Sequence, residues 1–335
     1  MKRLSLKVLL IFITTSFCSS QNLFPILGGQ RVGTSVFSFL NIGVSARAIG
    51  MGESVVALNH GASNISYNPG VIAQLEKTEI SLSTINWPSD IKYDYLSISK
   101  KLSGRHSLGF NFGILHMQPM AETSEFYPDG TGEYFIFQDR FIGLTYGAKM
   151  TDRFSFGVTL KHVSEKLAEN EMSAILLDVG TFYWTGFSSL RFCASLTNFG
   201  QQTSPEGSYP KTLLDSESGS EIFEITSFEK FSPPTLFRVG VAFDPIQKLN
   251  HKVSYSLQLN HPVDNAEYIV TGIEYSFVNL LFLRSGYKFN KKEENYTAGV
   301  GLNINVGGYN LKIDYGYANF DHLSDPKRFS IGLTI

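Results

Sequence analysis

The sequence predicts an all-β fold: a transmembrane antiparallel β-barrel of about 14 strands, preceded by a small N-terminal plug-like helical segment. Three observations predict it. Apolar and small polar residues alternate through repeated runs of about nine to eleven residues, the length a tilted strand needs to cross a bilayer. Short turns and long loops alternate between those runs. The chain also opens like an exported protein.

At the N-terminus, Met1-Lys2-Arg3 and Lys7 are basic and Val8–Phe17 is an apolar run. Cys18-Ser19-Ser20 offers a small-residue cleavage site before Gln21, so residues 1–20 read as a signal peptide. Cys18 raises lipid attachment as an alternative, but the bulky Phe17 before it argues against that processing. After cleavage Cys193 is the one cysteine left, so no intramolecular disulfide forms. The 28 basic and 30 acidic residues are scattered without a charged tail, which points away from nucleic acid. No later stretch is apolar for long enough to make a transmembrane helix.

The strands follow in order. Leu108, Phe110, Phe112 and Ile114 interleave with Ser107, Gly109, Asn111 and Gly113. Phe154, Phe156, Val158 and Leu160 do the same with Ser155, Gly157, Thr159 and Lys161, and Val253–Asn260 and Tyr296–Asn305 repeat the pattern. Tyr309–Tyr317 continues it, and the last run carries Phe329, Ile331, Leu333 and Ile335. A lumen would be lined by the Gly, Ser, Asn, Thr and isolated charges, and lipid by the other face, with Tyr and Phe near the strand ends as girdles. The predicted strands are 78–87, 92–102, 105–117, 138–150, 153–164, 172–184, 188–199, 234–243, 251–261, 266–277, 280–290, 294–306, 309–319 and 327–335. Ser103-Gly104, Thr151-Asp152 and Gly307-Gly308 are short turns, and 118–137, 200–233 and 320–326 are longer loops. Only the 244–250 connection is long for its side. An even strand count places both termini in the periplasm of an outer-membrane protein, and residues 78–335 form the barrel. Strand 327–335 must then meet strand 78–87, because an open sheet edge cannot be satisfied in lipid.

Residues 21–77 are a plug or rim segment. They do not alternate; Val44–Leu58 is small-residue and helix-compatible, and Asn68-Pro69-Gly70 opens a second short apolar run to Leu75. The run from Phe39 to Gly52, with Ala46, Arg47, Gly50, Met51 and Gly52, resembles the N-terminal signature of PorV/PorQ-type outer-membrane proteins. So do Tyr67-Asn68-Pro69, Thr197-Asn198-Phe199-Gly200 and Pro234–Gly240. The resemblance implies a fourteen-stranded barrel like the fatty-acid transporters, with an N-terminal plug. It also implies a component of the type IX secretion system whose partners are the translocon, surface-attachment proteins or cargo C-terminal domains. The chain departs from the pattern in following Asn68-Pro69 with Gly70-Val71-Ile72.

No catalytic set emerges. The seven histidines lack metal-ligand spacing and no G-x-S-x-G elbow occurs, so a non-enzymatic protein without metal or cofactor is expected. The predicted lumen face carries Lys149, Lys161, Arg191, Arg238, Arg284 and Lys312 against Asp178, Glu274 and Asp314. Mixed signs favour an internal ion-pair network over a selectivity lining. Loop 200–233 carries Ile222, Phe223, Ile225, Phe228 and Phe231, so it is expected either to dock on a partner or to fold over its own mouth, and Phe223, Phe228 and Phe231 are the candidate partner-binding residues. Three functions remain in descending order: a partner-binding component of type IX secretion, an outer-membrane transporter of hydrophobic small molecules, and an outer-membrane enzyme, for which no catalytic set speaks.

Overall fold

A computed structural model describes residues 33–59, 61–214, 221–291 and 293–335. The expected signal peptide, His60 and part of loop 200–233 lie outside the described residues.

Fourteen antiparallel strands close into one barrel. They are β1 (Glu79–Asn86), β2 (Lys92–Lys101), β3 (His106–His116), β6 (Phe137–Lys149), β7 (Phe154–Leu167), β8 (Asn170–Trp184) and β9 (Arg191–Gly200). The circuit continues through β12 (Leu236–Gln247), β13 (His251–Pro262), β14 (Tyr268–Phe277), β15 (Leu281–Phe289), β16 (Glu294–Val306), β17 (Tyr309–Phe320) and β18 (Lys327–Thr334). Closure is made by β1 against β18, from Glu79 opposite Thr334 to Asn86 opposite Lys327. All backbone groups between neighbouring strands can thereby pair without water, as a lipid setting demands.

Alternation sets which face each residue takes. Ile142, Leu144, Leu160, Ile175, Val300 and Leu302 are exposed on the outside, while Thr145, Thr159, Lys161, Asp178 and Gly299 face inward and are covered. An outer belt of this composition suits hydrocarbon and not water. Among the described residues no helix is long and apolar enough to cross a membrane.

Three features differ from the sequence reading. The long 244–250 connection is mostly strand: β12 runs on to Gln247 through a register shift between Phe243 and Ile246. Pro245 has no N–H to give the ladder there, so a bulge absorbs it and leaves a three-residue turn. Secondly, the loops expected to be irregular hold hairpins of their own. One pairs β4 (Met120–Ala121) with β5 (Tyr134–Phe135), the other β10 (Ser208–Leu214) with β11 (Glu221–Ser227). Thirdly, the N-terminal segment does not sit at one mouth. Its first described residues lie at the rim that carries the long loops, where the Val36 N–H donates to the Ser232 carbonyl (3.1 Å). From there it threads the whole lumen to reach β1 at the short-turn rim. Among its described residues the helical content is one helix, α1 (Ala46–Gly50), and 3-10 turns at Ser38–Asn41, Ala62–Ser66 and Pro69–Gln74.

Candidate functional site: the plugged lumen

Two clamps hold the plug. In the first, the Asn68 side chain donates to the carbonyls of Val56 and Thr181, both at 2.9 Å, and accepts from the Gly70 N–H (2.9 Å). One amide thus ties two plug segments to β8. Ser195 of β9 donates to the Tyr67 carbonyl (2.8 Å) and Ser155 of β7 to the Gly70 carbonyl (2.9 Å). The wall must lie very close for this. A Cβ at Gly157 would overlap the Pro69 backbone, so glycine is required on β7.

The second clamp is ionic. Arg47 of α1 meets Glu274 of β14 at 2.5 Å; Arg284 of β15 bonds Glu274 (2.6 Å) and Asp314 of β17 (2.7 Å). Gly50 lies against Gly299 so closely that a Cβ would sit 2.9 Å from its Cα. Just beyond, Glu53 bonds Lys288 (2.5 Å), which also bonds Glu294 (2.8 Å). Burial pushes the Glu53 carboxyl up, but Lys288 and then Lys291 outweigh it and hold the pKa at about 2. A buried charge survives inside the barrel because its partner is preplaced on the wall.

The seven motif residues Ala46, Arg47, Gly50, Met51, Gly52, Asn68 and Pro69 therefore all fall in the plug, at its contacts with the wall. The nine lumen charges named from sequence all lie on inward positions of their strands. Lys161–Asp178 (2.9 Å), Arg191–Asp244 (2.7 Å) and Lys312–Glu79 (3.8 Å) are further, separate ion pairs inside the barrel. Arg238 instead donates to Thr197 (2.9 Å) and lies over the Tyr67 ring.

The lumen has two unlike halves. The ion pairs that hold the plug are on the β14–β17 side, although Lys161–Asp178, Arg191, Asp139 and Glu165 also put charge inside β6–β9. On the β1–β9 side, Ile85, Tyr93, Tyr95, Leu115, Phe141, Val163, Leu176 and Phe182 face inward and are buried with Phe37 and Phe39 of the plug. Phe39 meets Tyr93 edge-on (centroids 6.0 Å) and lies 6.3 Å from Phe141, whose ring is also 6.3 Å from Tyr95. The sequence reading missed this slot, because it assigned strand aromatics to interfacial girdles. The available signal was Lys92-Tyr93-Asp94-Tyr95, where the tyrosines share the inward parity of Ser97 and Ser99. Phe37 adopts left-handed backbone (φ 55°) and donates its N–H to Glu165 (3.1 Å). Directly across from Glu165 stands Asp139, buried and without an ion-pair partner among the described residues. A void of about 30 Å³, lined among others by Leu40, Tyr67, Tyr93, Phe141 and Lys161, has room for little more than water.

The candidate partner-binding phenylalanines are not equivalent. Phe223 is 68% exposed, together with Ile225 at 77%. Phe228 rests on Tyr209 (5.1 Å), and Phe231 is pinned by paired backbone hydrogen bonds to Thr203. Only the Phe223–Ile225 strip stands clear.

No family model matches the sequence, and no curated protein matches it. Solved structures do match in fold. The CymD monoaromatic hydrocarbon channel shares 12% identity over 87% of this chain and 96% of its own, with a TM-score of 0.55. The toluene transporter TodX of Pseudomonas putida gives 13%, 87%, 96% and 0.54. A FadL homologue of Pseudomonas aeruginosa gives 8%, 87%, 98% and 0.54. At such identities the likeness establishes the fold alone, a closed fourteen-stranded barrel that resembles those of bacterial outer-membrane proteins. The PorV/PorQ resemblance rests on the motif residues alone.

Proposed function

We propose that this chain is an outer-membrane transporter of hydrophobic small molecules, the long-loop rim facing outward and the short-turn rim the periplasm. The observation that carries the reading is the buried aromatic slot of Phe39, Tyr93, Tyr95 and Phe141 on one side of the lumen. Apolar rings facing a barrel interior suit an apolar ligand, and similarly folded barrels are described as monoaromatic hydrocarbon and toluene carriers. In the present arrangement Phe37 and Phe39 fill the slot, so ligand must displace segment 36–41. That segment carries no charged side chain to anchor it by an ion pair, and Phe37 in it has left-handed backbone (φ 55°). Replacing Phe37 and Phe39 together with serine should raise uptake of toluene by cells several-fold while the heat-modifiable gel shift of the folded barrel persists. Unchanged uptake, with the barrel folded, refutes the reading.

A second reading has its own observation. The exposed Phe223–Ile225 strip, with the PorV/PorQ-like motifs, favours a type IX secretion component that binds translocon or cargo C-terminal domains. The same uptake experiment separates the two. Phe223→Ser with Ile225→Ser leaves toluene uptake intact in a transporter, and abolishes partner co-purification in a secretion component.

A further inference from the structure

The short-turn rim carries the same device twice. His106 is the first residue of β3, and its Nδ1 lies 2.7 Å from the Tyr146 hydroxyl of β6, the rings stacked with centroids 5.9 Å apart. His251 is the first residue of β13, and its Nδ1 lies 2.8 Å from the Tyr275 hydroxyl of β14, the rings stacked at 6.0 Å. The register is the same in both: each histidine stands opposite the residue two places beyond the tyrosine, Ala148 in one case and Phe277 in the other. All four side chains take outward places in their strands, at the edge of the apolar belt and beside Leu108 or Phe277. Phenylalanine would serve ring stacking there equally well, so the imidazole adds something that packing does not require.

With the tyrosine hydroxyl donating to Nδ1, each imidazole keeps an Nε2–H that has no partner among the described residues. Cations flank both rings. In the turn before β13, Lys248 and His251 exchange backbone hydrogen bonds (2.9 and 3.3 Å), which puts their side chains on one side of the hairpin. At the other pair, Arg105 directly precedes His106, and Lys100 of β2 points outward, opposite Leu108, itself opposite Tyr146. Lys100, Arg105 and Lys248 are exposed and make no ion pair among the described residues. Acids at this rim do not cancel them. Glu79, Asp244 and Glu274 face the lumen, where Lys312, Arg191 and Arg47 hold them, which leaves Glu76 and Asp152 in the turns. The opposite rim has the reverse balance: loop 118–137 carries Glu122, Glu125, Asp129 and Glu133 and no Lys or Arg.

A free N–H donor and a cation, set where an apolar belt meets water and beside a ring that anchors at that level, match an anion whose own chains lie in the belt. We infer that each His–Tyr pair binds the phosphate of an anionic phospholipid headgroup, with the acyl chains against the outer wall. The phosphate oxygens take the Nε2–H and the flanking cation. A headgroup that also carries an amine brings a like charge to those cations and is disfavoured. A soluble anion would make the same polar contacts but bury no apolar chain. The inference needs only a barrel wall that faces lipid, so it depends on neither function proposed above.

The test is native mass spectrometry of the purified, delipidated barrel in detergent, titrated with dioleoyl phosphatidylglycerol and, separately, with dioleoyl phosphatidylethanolamine. Two molecules of phosphatidylglycerol should be retained per barrel, in several-fold preference to phosphatidylethanolamine. His106→Phe with Arg105→Gln should remove one of them, and His251→Phe with Lys248→Gln the other, since phenylalanine keeps a ring against the tyrosine but offers no N–H. The heat-modifiable gel shift checks that each variant is a closed barrel. If a double variant does not fold, Tyr146→Phe and Tyr275→Phe serve instead; they take away only the hydroxyl that aims the imidazole and should weaken retention several-fold. Equal retention of the two lipids, phosphatidylglycerol retention unchanged in the variants, or its displacement by equimolar glycerol phosphate overturns the assignment.

Discussion

Glu53 and Lys288 show how single residues keep a charge inside a barrel. Both are nearly enclosed, and each would be costly alone; together with Glu294 they form a line from plug to wall. The Glu53 pKa, about 2, lies below its ordinary 4.5, so this carboxyl binds protons less readily folded than unfolded. Its stabilising effect is therefore complete above about pH 4.5 and is lost as pH falls toward 2. Thermal midpoints measured from pH 6 down to pH 2 should fall through that window, by a loss on the order of 2 kcal/mol for this group. In Glu53→Gln the midpoint should be lower at neutral pH, and the part of the acid step owed to this residue should vanish. An identical acid profile in the variant would dissociate Glu53 from plug stability. At this scale the sequence was partly legible. Arg284, Glu274 and Asp314 could be placed on the lumen face by parity, but nothing in the strand pattern tells that Arg47, more than two hundred residues earlier, supplies the fourth charge. Glu53 likewise looks like one more loop acid until the plug is folded into the lumen.

Among elements, β16 is the plainest example of strand alternation as topology. Its Leu302 is outward, 43% exposed and flanked by Leu281 and Ile313, whereas Asn303 takes the inward parity. Leu302→Arg should cost roughly 2–4 kcal/mol if the residue lies deep in the hydrocarbon belt, and Asn303→Arg far less, because the lumen side keeps its charge wet. The check is the urea midpoint of each variant refolded into vesicles; equal losses would mean that the face assignment of β16 is wrong. Every barrel strand was visible as a period-two run, because burial on one side and lipid on the other leave the same imprint on each. The errors came where that pressure lapses. The strand beyond Phe243 was hidden by Pro245, and the loop hairpins β4–β5 and β10–β11 stand clear of the barrel wall, so one-sided patterning is weak there. The helix-compatible stretch Val44–Leu58 yields only the five residues of α1, since Gly50 and Gly52 serve close approach to Gly299 and Gly286 and not helix propagation.

At the scale of the whole molecule, the lumen divides across its axis by how its walls hold the plug. The β12–β18 wall grips the plug with charge, and the Asn68 amide with the β7–β9 serines grips it with hydrogen bonds, so the central part of the plug is held on both sides. What is left to move is the segment carrying Phe37 and Phe39, seated on apolar rings and next to two facing carboxylates, Asp139 and Glu165. On the transport reading, release of that one end opens a route along one wall without ejecting the whole segment. This division was not legible in the sequence, since it depends on which strands end up on which side of the closed circuit. The most direct measurement is a crystal of the protein soaked with bromobenzene, located by the anomalous signal of bromine. The account predicts a peak inside the barrel between Tyr93, Leu115 and Phe141, with the Phe39 side chain displaced from the slot. Bromine confined to the outer belt, with Phe39 still in place, would contradict it.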